Sequence, residues 1–132
     1  MADNSIYILG EVFEYNPFSP RDVARMDEAF LNLKARVELS EGDIPTIRAN
    51  EPGAIGEFCA AIIDFLDDAL GVGTARRVFG AETDALMCLD AYLDLLGGAE
   101  VVAERRAREV AARHAKYSAE RAAAKWGEAA AI

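Results

Sequence analysis

Asp64, Asp67 and Asp68 stand at i, i+3 and i+4, a spacing that sets three carboxylates on one face of a helix. Such a face suits a hard divalent cation, which takes oxygen ligands. Nothing completes a coordination sphere: there is no nearby histidine, no EF-hand spacing and no second acidic cluster at a matching interval. The three aspartates therefore read as the solvated face of an amphipathic helix and as a surface for basic side chains of a partner. Gly71-Val72-Gly73-Thr74 has the small residues of a phosphate loop but not the lysine of G-x-x-x-x-G-K-[ST], and no strand precedes it. It reads as helix punctuation. His114, the one histidine, has Arg113 and Lys116 nearby and neither an acidic orienter nor a nucleophile. Ser5, Ser19, Ser40 and Ser118 are not in nucleophile-elbow contexts. The expectation is a protein without a catalytic centre, metal or cofactor.

The elements around these residues are mostly helical. Ile6 through Tyr15 mixes β-branched and aromatic residues in near alternation, with Gly10 in the middle, and predicts a β-hairpin turning near Leu9-Gly10. Two strands alone are marginal in water, so the hairpin must pack on a helix or pair with another chain. Ser19-Pro20-Arg21-Asp22 is a helix start: Ser19 accepts from the N3 amide, Pro20 sits in the first turn and Asp22 reaches back in a capping box. Val23, Met26, Phe30, Leu33 and Val37 then form one apolar stripe, predicting a helix over 20–39. Pro45 to Gly53 reads as a loop or a short turn. Ile55, Phe58, Cys59, Ile62, Leu66, Ala69 and Leu70 predict a second helix over about 54–70, stopped by Gly71 and Gly73. Thr74 caps a short helix to Phe79. Thr83 opens a further helix with Leu86, Leu89, Leu93 and Leu96 inward, closing at Gly97-Gly98.

From Ala99 onward the character changes. Thirteen alanines occur between there and the end, with no Leu, Phe or Met. Alanine has high helix propensity, but only Val101, Val102, Val110, Tyr117, Trp126 and Ile132 offer large apolar surface. The reading is one α+β, mostly α domain: a hairpin and helical body over 1–98, about four to five helices in all, and a long Ala-rich C-terminal helical arm over 99–132.

The 132 residues carry 23 acids and 14 bases, a net charge of −9. Residues 1–98 hold 18 acids and 7 bases, whereas residues 99–132 hold 5 and 7. The acidic balance argues against a general nucleic-acid binder and against docking on an anionic membrane. No apolar run reaches the ~18 residues of a membrane span, and the first residues lack a signal-peptide pattern, so a cytoplasmic location is expected. Cys59 and Cys88 fall in apolar helical patterns and read as reduced, buried thiols. The mildly basic arm, with Arg105, Arg106, Arg113 and Tyr117, reads as a solvated helix or as a surface for an acidic body.

The segment Phe65-Leu66-Asp67-Asp68-Ala69-Leu70-Gly71-Val72-Gly73-Thr74-Ala75-Arg76-Arg77-Val78-Phe79-Gly80 resembles one in a family of small phage and prophage proteins. The order around it, over about residues 6–96, is similar too: a hairpin, a long helix, the motif, and a helix with a cysteine near its start. That family resembles the tail assembly chaperones of long-tailed phages. The resemblance implies a non-catalytic, mostly helical protein of the host-cell cytoplasm that self-associates as a ring or spiral. It would hold the tape measure protein soluble, recruit tail tube protein and be absent from the virion. Asp64, Asp67, Asp68, Arg105, Arg106, Arg113 and Tyr117 are the candidate interaction residues, with residues 99–125 of one subunit lying on its neighbour. The alternatives are a structural or head–tail connecting component kept in the virion and a small adaptor for a host protein. A metal-dependent enzyme built on the three aspartates is a remote third.

Overall fold

The computed structural model describes the backbone of residues 4–131 and the side chains of residues 4–125. The expectations for Met1 to Asp3, the Trp126 side chain and Ile132 lie outside the described residues. Strands β1 (Ser5–Ile8) and β2 (Glu11–Glu14) pair antiparallel, with Ile6 opposite Phe13 and Tyr7 opposite Val12. The turn falls at Leu9-Gly10, as the sequence predicts, with both residues at positive φ, 47° and 86°. That pair of left-handed residues matches the twist of a two-residue hairpin, and glycine fits the second place without strain. Leu9 is held there because its amide donates to Asp94 Oδ2 at 3.0 Å. Alternation puts Ile6, Ile8 and Phe13 into the core and leaves Tyr7 and Val12 exposed.

Helix α1 spans Pro20–Lys34. Ser19 caps it by accepting from the Asp22 amide at 3.3 Å. Asp22 does not close a capping box; its Oδ2 accepts from the Asn16 amide at 2.9 Å and so holds the approach to the helix. The predicted extension to residue 39 is not observed. After the amides of Arg36 and Val37 both bond to the Leu33 carbonyl, the chain turns into a second small hairpin, β3 (Leu39–Ser40) and β4 (Ile44–Pro45). Pro45 thus belongs to a strand and not to the expected loop. What ends the helix is tertiary: the buried Tyr92 donates its phenolic hydrogen to the Asp43 carbonyl at 2.7 Å, anchoring that hairpin. Val37 still packs against the core.

Helices α2 (Ala54–Leu70) and α3 (Thr74–Phe79) have the predicted bounds. Gly73, at φ 95°, is the N-cap of α3, and Thr74 lies inside the helix with its hydroxyl donating to the Gly71 carbonyl at 2.6 Å. Thr74 is therefore not the cap. Helix α2 buries a broad face, Phe58, Ala61, Ile62, Phe65, Leu66 and Ala69, while the predicted Ile55 stays partly exposed. Phe65 packs edge-on to Phe30 at 5.2 Å between centroids and against Tyr92 at 5.3 Å. This aromatic cluster joins α1, α2 and the last helix.

That last helix, α4, runs without a break from Ala85 to Ala131. Its 47 residues make a rod about 70 Å long. Asp84, and not Thr83, is the cap, accepting from the Met87 amide at 2.8 Å. The described chain has four helices, within the expected four to five. Two expectations are corrected here: the closure at Gly97-Gly98 does not occur, and Leu86 and Leu93 face outward, at 68% and 39% exposure. The inward face is Cys88, Ala91, Tyr92, Leu95 and Val102. Gly98 is a point of close packing. A Cβ there would stand 2.6 Å from Cγ2 of Ile6, so the glycine admits strand β1 to the helix surface. Both cysteines are free, Cys88 buried and Cys59 partly so. No helix of the described residues is long and apolar enough to cross a membrane.

Candidate functional site

The three aspartates of α2 do not converge. Asp64 reaches across to the segment just past α1, where its Oδ2 accepts from Arg36 at 2.5 Å. Arg36 also pairs with Glu57 two turns earlier on α2, at 2.9 Å, so one guanidinium ties the chain leaving α1 to α2. The hydrogen bonds to Asp64 and then Glu57 hold the Arg36 guanidinium above its ordinary pKa. Asp67 turns the other way, and its Oδ1 accepts from the Ala75 amide at 2.9 Å. It is a side-chain cap for the first turn of α3 and is not simply solvated, as its spacing suggested. Asp64 and Asp68 both keep the exposed positions that the amphipathic pattern assigns them, Asp64 within its ion pair. Among the described residues, no group of three histidine, cysteine, aspartate or glutamate side chains is placed to hold a metal ion.

An open groove of about 460 Å³ lies between the end of α1, the β3–β4 hairpin and the start of α2. The arginines of its rim are paired with its glutamates. Arg48 bonds to Glu38 and lies 3.5 Å from Glu51, and Arg36 holds Glu57. The Glu38 hydrogen bond, with the charge of Glu51, raises the Arg48 pKa. The two arginines and three glutamates of the groove therefore compensate one another.

The hairpin is held to the body from two sides. Ile6 and Ile8 face α4, and Arg77 of α3 lies 4.2 Å above the Phe13 ring while donating to the Val12 carbonyl at 2.9 Å. The hairpin is thus supported by its own chain, which answers the choice the sequence left open. Its outer face carries the exposed pair Tyr7 and Val12.

The arm divides in two. Its first part belongs to the body: Val102 is 1% exposed, and the Arg106 guanidinium lies 6.0 Å from the Phe18 ring while pairing with Glu109 at 2.8 Å. Arg105 is half-buried in the same stretch. Arg113 shares Glu109 with Arg106, at 3.9 Å. From Ala111 to Lys125 every residue is exposed, a projection of about 22 Å. Tyr117 lies in that projection, accepting from Arg121 at 3.3 Å. The candidate residues therefore fall into separate places: the aspartates on α2, Arg105 and Arg106 on the part of α4 that packs on the body, and Arg113 and Tyr117 on its projecting part. Sequence reasoning missed the structural tasks of Asp67, Asp94, Arg36 and Arg77. Each depends on a partner at least eight residues away, and no local spacing signals it.

Neither a curated protein nor a solved structure matches this chain. A family model described as a family of unknown function, DUF6673, matches residues 9–128, which take in α1 to α3 and nearly all of the long helix. The chain belongs to that family.

Proposed function

We propose that the protein is a non-enzymatic tail assembly chaperone of a long-tailed phage, acting in the cytoplasm of the infected cell. Copies associate into a ring or spiral, keep the tape measure protein soluble and help recruit tail tube protein, which then displaces them. The observation that carries this reading is the distal half of α4, where residues 111–125 extend beyond the body with every side chain exposed. An isolated helix of that length is marginal in water, so such a rod is best explained as half of an intermolecular contact. A long apolar-striped client requires many weak and replaceable contacts, and repeated copies of a projecting helix and an exposed Tyr7–Val12 hairpin face supply them. The acidic residues Asp64 and Asp68, the basic arm residues Arg106 and Arg113 and the exposed Tyr117 would meet a partner in such contacts, Asp64 and Arg106 from within ion pairs with Arg36 and Glu109.

Co-expression with the tape measure protein from the same genome tests the proposal. The full chain should keep that protein in the soluble fraction, and a chain ending at Val110 should not. A client equally soluble or equally aggregated in both cases rejects the reading. Mass spectrometry of purified particles should find the protein missing. Its presence at stoichiometric level would replace the chaperone by a connecting component retained in the virion. Capture of a single host protein by a monomeric chain would favour a host-directed adaptor.

A further inference from the structure

Cys59 and Cys88, the chain's two cysteines, stand on helices that pack together, and both are free. Helices α2 and α4 meet at Phe65 and Tyr92, whose rings are 5.3 Å apart. Cys88 lies one turn before Tyr92 and is fully buried, whereas Cys59 on α2 is half-buried at the edge of the same core. The corner between the helices brings them together a second time. Ile63, one turn beyond Cys59 on the same face of α2, lines a depression of about 220 Å³ together with Thr83. The Thr83 hydroxyl in turn stands 3.6 Å from the Cys88 sulfur. The Cys59 thiol is also close enough to Cys88 to act on it through hydrogen bonding and charge. The two sulfurs therefore face one another across the α2–α4 contact.

We propose that Cys59 and Cys88 are a redox pair, which hydrogen peroxide converts to a disulfide that locks the first turn of α4 to α2. The difference in access orders the steps. Cys59 is the thiol that peroxide from solvent reaches. Its sulfur takes one oxygen from the peroxide, giving a sulfenic acid and releasing one water. The Cys88 sulfur then attacks the Cys59 sulfur. The S–S bond forms as the S–O bond breaks, and the leaving hydroxide takes the Cys88 proton and departs as a second water. The two thiols lose two electrons, and the broken oxygen–oxygen bond of the peroxide accepts them. Burial pushes the Cys88 thiol up to about 11, so until that step it stays protonated and unreactive in the core. The consequence is mechanical. Residues 59–88 contain α3 and the turns on either side of it, which Asp67 holds through its bond to the Ala75 amide. A bridge closes this stretch into a loop, and the corner can then no longer open. The inference does not depend on a role in tail assembly.

Treatment of the full chain with hydrogen peroxide at low protein concentration, followed by mass spectrometry, should lower the chain mass by two hydrogens. No thiol should then react with iodoacetamide until a reductant is added, and peptide mapping should join the Cys59 and Cys88 peptides of one chain. The bridged chain should keep its helical circular dichroism and raise its thermal unfolding midpoint by about 5–15 °C, a rise that the reductant reverses. Cys59→Ser should keep its remaining thiol and show no rise. Cys88→Ala should carry added oxygen on Cys59 in place of a bridge. Two thiols still reactive after peroxide, added oxygen on Cys59 of the unaltered chain without a bridge, a bridge between two chains, or a bridge that lowers the midpoint would overturn the inference.

Discussion

Ile6 Cγ2 lies 2.6 Å from the point where a Cβ on Gly98 would be. A buried, β-branched side chain of strand β1 thus occupies the space that any other residue in the middle of α4 would need. Nothing lies within 4 Å of the same point on Gly97. Two adjacent glycines, both suggestive of a helix end, therefore differ in what they do.

Opposite responses to alanine are expected at the two positions. Gly97→Ala removes a poor helix former from an open position and should stabilise by up to about 1 kcal/mol. Gly98→Ala makes the same gain but forces Ile6 aside, and overpacking of a core costs about 1–3 kcal/mol. The net expectation is a loss of about 1–2 kcal/mol. Urea unfolding of both variants at low protein concentration checks the signs.

The neighbouring aspartates of α2 should also separate. Asp67→Ala leaves the Ala75 amide without its acceptor and should cost about 1 kcal/mol, the usual loss on removing a helix cap. Asp67→Asn keeps an acceptor oxygen and should lose less. Asp68→Ala, at an exposed position, should stay within about 0.5 kcal/mol of the parent. Equal losses at 67 and 68 in thermal unfolding would contradict the capping geometry.

Alkaline pH should unfold the protein through two buried groups of α4. Burial pushes the Cys88 thiol up to about 11, and burial, with the nearby Asp43 charge, holds the Tyr92 phenol well above the ordinary tyrosine value. Both are neutral acids that keep their proton more tightly when folded. Their stabilising effect is complete below the unfolded pKa, near 9 for the thiol and 10 for the phenol, and is lost as pH rises beyond it. Stability should be flat to about pH 9 and fall above it. Cys88→Ala should reduce the slope between pH 9 and 11, and Tyr92→Phe should reduce it above pH 10. Tyr92→Phe should also cost about 1 kcal/mol at neutral pH through the lost bond to Asp43.

The boundary between body and arm can be placed by truncation. A chain ending at residue 98 loses the buried Val102 and the Arg106–Phe18 contact, and should be destabilised by about 2–4 kcal/mol. A chain ending at Val110 keeps both and should unfold within a few degrees of the full chain. Calorimetry at low concentration distinguishes the two cuts.

Residue types and spacing alone determined much of this architecture. The Leu9-Gly10 turn, the Ser19-Pro20 helix start, the bounds of α2 and α3 and the acid-to-base shift along the C-terminal helix are local features, and local patterns carry them. Tertiary structure decided where α1 stops, because Tyr92 holds a hairpin 49 residues away. It decided that Gly98 is a contact and not an end, because Ile6 comes from the other end of the chain. It turned the inward face of α4 from its leucines to Cys88, Ala91, Tyr92 and Leu95, since the core accepts small residues and one large ring where β1 and α2 approach closely. It also divided the aspartates, sending Asp64 to Arg36 just past α1, Asp67 to α3 and leaving Asp68 to solvent. A helical pattern fixes which residues share a face; which face is covered, and by what, depends on elements that the pattern does not contain.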